Sequence, residues 1–255
     1  MIDAMTHTPT VQTSAAAARA ARRQAVIEAM RAAGGGVAIL PTAPERMRNR
    51  DSDYPYRWDS YFHYLTGFPE PEAVLVIVAD AERAESILFC REKNEEREIW
   101  DGFRYGPQAA AEHFGLDRAL PIGSLDEEIP RLLANRGALF HALGADETLD
   151  ARVRLWLGEV RAQARAGIGA PTRAIDLLAI LDEMRLRKDE TELDTMRRAA
   201  RISASAHRRA MRASSPGRFE YEIEAELLYE FRRQGAQAPA YGSIVATGRN
   251  GCVLH

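Results

Sequence analysis

The chain has 255 residues, 46% of them hydrophobic and 28% charged, with a formal net charge of −3. That leaves room for one large domain or two ordinary ones, and the near-balance of charge argues against a protein that holds nucleic acid mainly by neutralising phosphates. The longest wholly apolar run, Ala73 to Ala79, is far short of the roughly 20 residues a membrane-spanning helix needs, which argues against a membrane protein.

Two cysteines, Cys90 and Cys252, lie far apart, so neither a disulfide scaffold nor a cysteine zinc site is available. All but two of the 34 basic residues, Lys93 and Lys188, are arginine. Codon bias is the simpler reading of that skew; selection for arginine chemistry is the other. Residues 1–13 (MIDAMTHTPTVQT) lack apolar periodicity and read as a disordered leader. Up to Arg23 the composition loosely resembles an organelle transit peptide, without the apolar core of a secretory signal. A ragged leader, or a true start at Met5, is the competing reading.

Ser14 is placed to cap a helix that runs to Met30 and stops at Gly34-Gly35-Gly36. No Gly-Lys-Ser/Thr follows those glycines, so they form no phosphate loop. Val37–Leu40 reads as a short buried strand, and Ala73–Ala79 as one apolar on both faces, as inside a covered sheet. Ser86–Cys90 and Ala138–His141 are further strands, with helical patterns near 107–114, 124–134, 149–165 and 174–183. Strands separated by helices predict a mixed α/β domain over residues 14–185.

A second region begins at 189. Asp189 with Glu192 is a capping box that opens a helix reaching about Ala213, before Pro216-Gly217. Its Leu193, Met196, Ala200, Ser203, His207 and Ala210 share one face, and Arg197, Arg201, Arg208 and Arg212 form a separate stripe. A helix over 218–235 carries Phe219, Ile223, Leu227 and Phe231 as an apolar seam. Ser243–Ala246 then reads as a strand, Asn250-Gly251 as a hairpin turn, and Cys252–His255 as the start of the return strand. Two amphipathic helices and half a hairpin bury a core poorly. The expectation is a complete domain over 14–185 followed by the truncated start of another over 189–255.

Candidate chemistry is sparse. The histidines His7, His63, His113, His141, His207 and His255 show no pairing of metal-ligand spacing, and no GxSxG is present. Asp51-Ser52-Asp53 could chelate a cation, yet in a Pro/Tyr-rich loop it reads more simply as a turn. His207 reads as a satisfied buried or interface histidine. Glu222, Glu226 and Glu230 resemble paired carboxylates but, beside Arg232 and Arg233, read as a solvated face. The arginine stripe could bind phosphate; a solvated face, or pairing with the acidic helix, is the simpler reading.

Residues 51–78, DSDYPYRWDSYFHYLTGFPEPEAVLVIV, are more specific. An aromatic-rich helix, Thr66-Gly67-Phe68 and Glu70-Pro71-Glu72-Ala73 lead into a strand, and this closely resembles the N-terminal domain of bacterial Xaa-Pro aminopeptidases (aminopeptidase P). The segment from Glu183 through Glu192 is similar to the family's linker and first catalytic helix, and SIVATGRNGCVLH resembles the hairpin opening its "pita-bread" domain. The resemblance implies an α/β fold: an N-terminal domain of mixed sheet flanked by helices, then the first part of an α+β pita-bread domain. It also implies a cytoplasmic metalloaminopeptidase using two Mn2+ ions on peptides with proline second. A homo-oligomer, dimer or tetramer, with neither nucleic-acid nor membrane partners is expected.

His255 matches the family histidine that closes Asn-Gly-x-x-Leu-His, which lies beside the metals and contacts substrate or aids proton transfer without ligating metal. Trp100, in Glu98-Ile99-Trp100-Asp101-Gly102, matches a segment that can reach a neighbour's active site; packing within its own subunit is the alternative. The family's metal ligands, two Asp, one His and two Glu, lie downstream of that motif, and the last Asp here is Asp194. No metal ligand is therefore assigned, and the chain alone is expected to be inactive. A Xaa-Pro dipeptidase (prolidase) and a non-catalytic assembly protein remain alternatives, since related pita-bread proteins include non-peptidases.

Overall fold

The structure, a computed structural model, describes residues 9–254, with side chains from Ser14 onward. It divides into two compact units, one ending at Arg187 and one beginning at Lys188. Among the described residues there are nine α-helices and six strands.

The first unit is built on one mixed sheet. Its strands are β1 (Gly36–Pro41), β2 (Val74–Ala79), β3 (Ala84–Cys90), β4 (Arg118–Pro121), β5 (Ala138–His141) and β6 (Arg173–Asp176). Their order is β4-β3-β2-β1-β5-β6. The central pairs are antiparallel, with Ile39 opposite Val76 and Val76 opposite Ile87. The outer pairs β3–β4, β1–β5 and β5–β6 are parallel.

The helices are α1 (Pro9–Ala32), α2 (Ser60–Thr66), α3 (Glu95–Asp101), α4 (Gly106–Phe114), α5 (Leu125–Leu133), α6 (Glu147–Ala162) and α7 (Leu177–Leu186). Successive strand side chains point to opposite faces, and both faces here are covered. Ala38, Leu40, Leu75, Ile77 and Leu88 pack with Val26 and Met30 of α1, Phe62 and Leu65 of α2, and Leu177 and Leu181 of α7. Val37, Ile39, Val76, Ile87 and Phe89 pack with Ile129 of α5 and Trp156 of α6. This two-sided cover is why residues 73–79 carry no polar alternation.

The α1 helix starts at Pro9, ahead of the Ser14 expected to cap it. Proline suits the first helical turn, where its missing N–H would have no partner. Of the expected leader, residues 1–8 lie outside the described residues, whereas from Pro9 the chain is helical. At the other end, Gly36 has φ +152°, and a Cβ there would fall 2.1 Å from the Ala138 carbonyl oxygen. Glycine is thus required for β1 to lie against β5.

Arg23 ties α1 to its neighbours. Only 5% exposed, it donates to the carbonyl oxygen of Leu65 at 2.8 Å and to that of Gly115. A guanidinium at the last carbonyls of α2 and α4 neutralises the negative ends of both helices.

The second unit contains α8 (Glu190–Ala213) and α9 (Glu220–Arg233). The capping box forms as expected: Asp189 Oδ1 accepts from the Glu192 amide at 3.0 Å, and Glu192 Oε2 from the Asp189 amide at 3.1 Å. The packing face of α8 differs from the expected one. Ile202 and Ala206 are its buried residues, whereas Met196 and His207 are exposed. His207 Nδ1 lies 2.9 Å from the Ser203 carbonyl oxygen of its own helix.

The expected solvated carboxylate face of α9 is also corrected. Glu230 is buried at 3% exposure, and Glu226 accepts from Arg209 Nε at 2.5 Å. Small Ser205 and Ala206 let α9 approach closely, and Arg209 and Ser205 give its carboxylates partners. The hairpin expected over 243–255 does not form among the described residues: 243–246 is irregular and Asn250–Cys252 is a single 3-10 turn. Two strands alone are marginal, and Glu220 takes up the turn instead. Its carboxylate accepts from the Thr247 amide at 2.8 Å and from Asn250 Nδ2 at 2.9 Å.

Candidate functional site

Trp100 sits on a projecting arm of the first unit. After β3 the chain leaves the sheet at Arg91, forms α3, and returns at Tyr105 into α4. The α3 turn forms because Asn94 Oδ1 accepts from the Arg97 amide at 2.9 Å, and Gly102 stops it at φ +85°. None of its residues is buried. Trp100 is 84% exposed, with Ile99 and Phe103 also exposed beside it. Trp100 therefore does not pack within its own unit.

The arm is held at its base and along its length. Lys93 Nζ lies 2.9 Å from Glu98 and 3.1 Å from the Arg104 carbonyl oxygen, and stands over the Phe103 ring. The Lys93 hydrogen bond holds the Glu98 carboxyl below its ordinary range. Arg104 pairs with Asp101 at 2.9 Å. Beneath, Glu70 is 7% exposed; Oε1 accepts from the Tyr105 amide at 2.7 Å and Oε2 faces Arg91 at 3.5 Å. The Tyr105 ring is seated against Phe68, Phe103 and Phe114.

His255 lies outside the described residues. The segment leading to it borders an open groove lined by Phe219, Glu220, Tyr221, Thr247 and Asn250. Bonding from Asn250 and from the Thr247 amide keeps the Glu220 carboxyl below its usual range. Across α8 and α9, Arg208, Arg209, Arg212 and Arg233 flank Glu226 and Glu230. Arg209 and Arg233 are already paired with those carboxylates.

Other polar groups have structural explanations. His63 stacks on Trp58 with ring centres 4.4 Å apart, and burial, aided by Arg19, Arg57 and Arg22, pushes its pKa down to about 4. His141 is 4% exposed with Nδ1 3.5 Å from Asp150; burial lowers its pKa against the pull of Asp150 and Asp176. The Asp51-Ser52-Asp53 segment is a turn in which Asn49 Oδ1 accepts from the amides of Asp51 and Ser52, both at 2.9 Å. Among the described residues no group of three or more His, Cys, Asp or Glu is placed to hold a metal ion. The two-metal donor set implied by the resemblance is thus not assembled by these residues.

In the sequence Glu70 stands only as one residue of the Glu70-Pro71-Glu72-Ala73 motif. Its burial could not be read from an acidic, proline-containing stretch. The α3 turn did carry a signal, an Asn cap before Glu95 and Glu96.

Residues 19–140 match the family model of the aminopeptidase P N-terminal domain, and residues 194–255 that of metallopeptidase family M24. In that order the two define a class, proteins joining an aminopeptidase P N-terminal domain to a metallopeptidase domain. The chain belongs to the aminopeptidase P family of metallopeptidases. The Xaa-Pro aminopeptidase of Escherichia coli is 43% identical over 235 residues, covering 92% of this chain and 53% of that protein. Its Haemophilus influenzae namesake is 36% identical over 217 residues, covering 85% and 48%.

The structure of Pseudomonas aeruginosa aminopeptidase PepP aligns with a TM-score of 0.90 at 48% identity, covering 94% of this chain and 54% of that one. Zinc-substituted E. coli aminopeptidase P in complex with product aligns at 0.91 and 42% identity, with the same coverage. The chain spans about half the length of the curated relatives it matches. No helix among the described residues is long and apolar enough to cross a membrane.

Proposed function

We propose that these residues are the N-terminal portion of a cytoplasmic Xaa-Pro aminopeptidase that removes the residue preceding proline from peptides. The observation that carries this reading is the 43% identity to the E. coli enzyme of that name over 92% of the chain. In this reading the domain of residues 14–185 serves homo-oligomer assembly, with Trp100 reaching toward a neighbouring subunit's active site. Its extreme exposure supports that role. Residues 189–255 begin the metallopeptidase domain, and His255 stands beside the catalytic centre. An imidazole has an ordinary pKa near 6.5, which suits it to moving a proton at neutral pH.

The metal of this reading is a pair of Mn2+ ions. The described residues do not fit such a pair, so no step of hydrolysis is assigned to them. The test compares the 255-residue chain with a chain completed to its relatives' length, both supplied with Mn2+ and an Xaa-Pro-Yaa peptide. Release of the first residue is expected from the completed chain alone. Turnover by the short chain would refute the assignment of metal ligands elsewhere, and cleavage of Xaa-Pro dipeptides only would point to prolidase.

A further inference from the structure

We propose that Glu70 is the positioning residue for Trp100, a buried clamp that closes the base of the 91–105 arm and fixes where the indole projects. The inference rests on the reading of Trp100 as a contact to a neighbouring subunit.

A seven-residue helix that buries none of its residues has little stability of its own, since isolated helices shorter than about 12 residues are marginal in water. Whatever holds Trp100 in place must act where the arm meets the body. The two feet of the arm are Arg91, following β3, and Tyr105, preceding α4. One carboxylate engages both: Oε1 takes the Tyr105 amide at 2.7 Å and Oε2 faces Arg91 at 3.5 Å.

The Lys93 latch stiffens the arm internally, through Glu98 and the Arg104 carbonyl oxygen, but bonds nothing in the body. The ring seat of Tyr105 against Phe68 and Phe114 is apolar and tolerates sliding. Directional bonds from the body to both feet come from Glu70, whereas Glu72, 4.0 Å from Arg91, reaches only the first foot. Burying a carboxylate is a poor way to gain stability, because a well-packed apolar side chain usually does as well or better. Its return here is geometric: the arm is pinned in one place.

The first test is hydrogen exchange on the 255-residue chain. Glu70→Ala is expected to speed exchange of the amides over 92–105 about tenfold, as loss of a charge-assisted bond allows, with Tyr105 most affected and β1 and β2 unchanged. Glu70→Gln keeps an acceptor oxygen for the Tyr105 amide but turns an NH2 donor toward Arg91, so its exchange should fall between wild type and Glu70→Ala. The second test uses the completed, assembled enzyme with tetrapeptides bearing proline second. Glu70→Ala should raise KM about fivefold or more at unchanged kcat, as a lost binding contact does, and Glu70→Gln, which keeps only the Tyr105 bond, should recover part of that loss.

Unchanged exchange in the arm, or equal acceleration throughout the sheet, would overturn the clamp. A freed arm with unaltered KM, in an enzyme where Trp100→Ala does raise KM, would overturn the positioning role. If Trp100→Ala leaves kinetics and assembly untouched, the reading of Trp100 itself fails, while the exchange data still decide the clamp.

Discussion

Ser205 Oγ donates to Glu230 Oε1 at 2.8 Å across the α8–α9 hairpin. The acceptor is a carboxylate with 3% exposure. It also receives both Arg233 Nε and Nη2 and the Gln234 side-chain Nε2. Arg233 first, then Ser205, pull its pKa down to about 2, against the opposing effect of burial.

A carboxyl group whose folded pKa is depressed contributes its full stability above the unfolded value and loses it as pH falls through the folded one. The α8–α9 hairpin is therefore expected to weaken as pH drops from about 4.5 toward 2. Urea titrations followed by far-UV circular dichroism across that range should show a falling midpoint. Glu230→Gln should flatten the dependence; an equally steep loss in the variant would contradict it.

His63 places a different window in the first unit. Its folded pKa of about 4 lies below the ordinary 6.5, because burial and three nearby arginines disfavour the imidazolium. Unfolding lets the ring take a proton, so stability is complete above pH 6.5 and declines between 6.5 and 4. Thermal midpoints measured over that interval should fall in the parent chain. In His63→Phe, where an aromatic ring can still lie on Trp58, the slope from this group should vanish.

Arg23→Met removes the donor that serves two helix ends at once. The Leu65 and Gly115 carbonyl oxygens lose charge-assisted bonds worth about 1.5–3 kcal/mol each. A net destabilisation of about 3 kcal/mol is expected, because the methionine stem still fills part of the space. Equilibrium urea unfolding of the first unit measures it; a cost below about 1 kcal/mol would mean that water replaces the guanidinium.

What could be read from the sequence follows the strength of each local signal. The strands β1, β2, β3 and β5 are apolar runs buried on both faces, and each was legible. The strands β4 and β6 are four residues each, opening on Arg118 and Arg173. Pairing with β3 and β5, not composition, makes them strands. The capping box at Asp189 was legible because its chemistry is local.

The burial of Glu230 and the exposure of His207 are not legible in the sequence, because spacing defines several candidate faces on α8 and on α9 and tertiary contact selects one of each. Glu70 and the arm it holds fall in the same group. A buried carboxylate becomes visible only when its partners, Arg91 and the Tyr105 amide, are brought to it through space. Trp100 stands out only through the family resemblance of its segment, and His255 lies outside the described residues.

The two rims of the sheet have a colloidal consequence. An open sheet edge is a template on which another chain can add a strand, and long flat edges invite aggregation. Here the interior strands run six or seven residues, except for β5, but each rim offers four. One rim ends in Pro121, which has no N–H to donate, and the other carries Arg173 and Asp176 at its two ends. Neither gives an incoming strand much to grip, so a crowded solution of this chain has a built-in defence against sheets growing edge to edge.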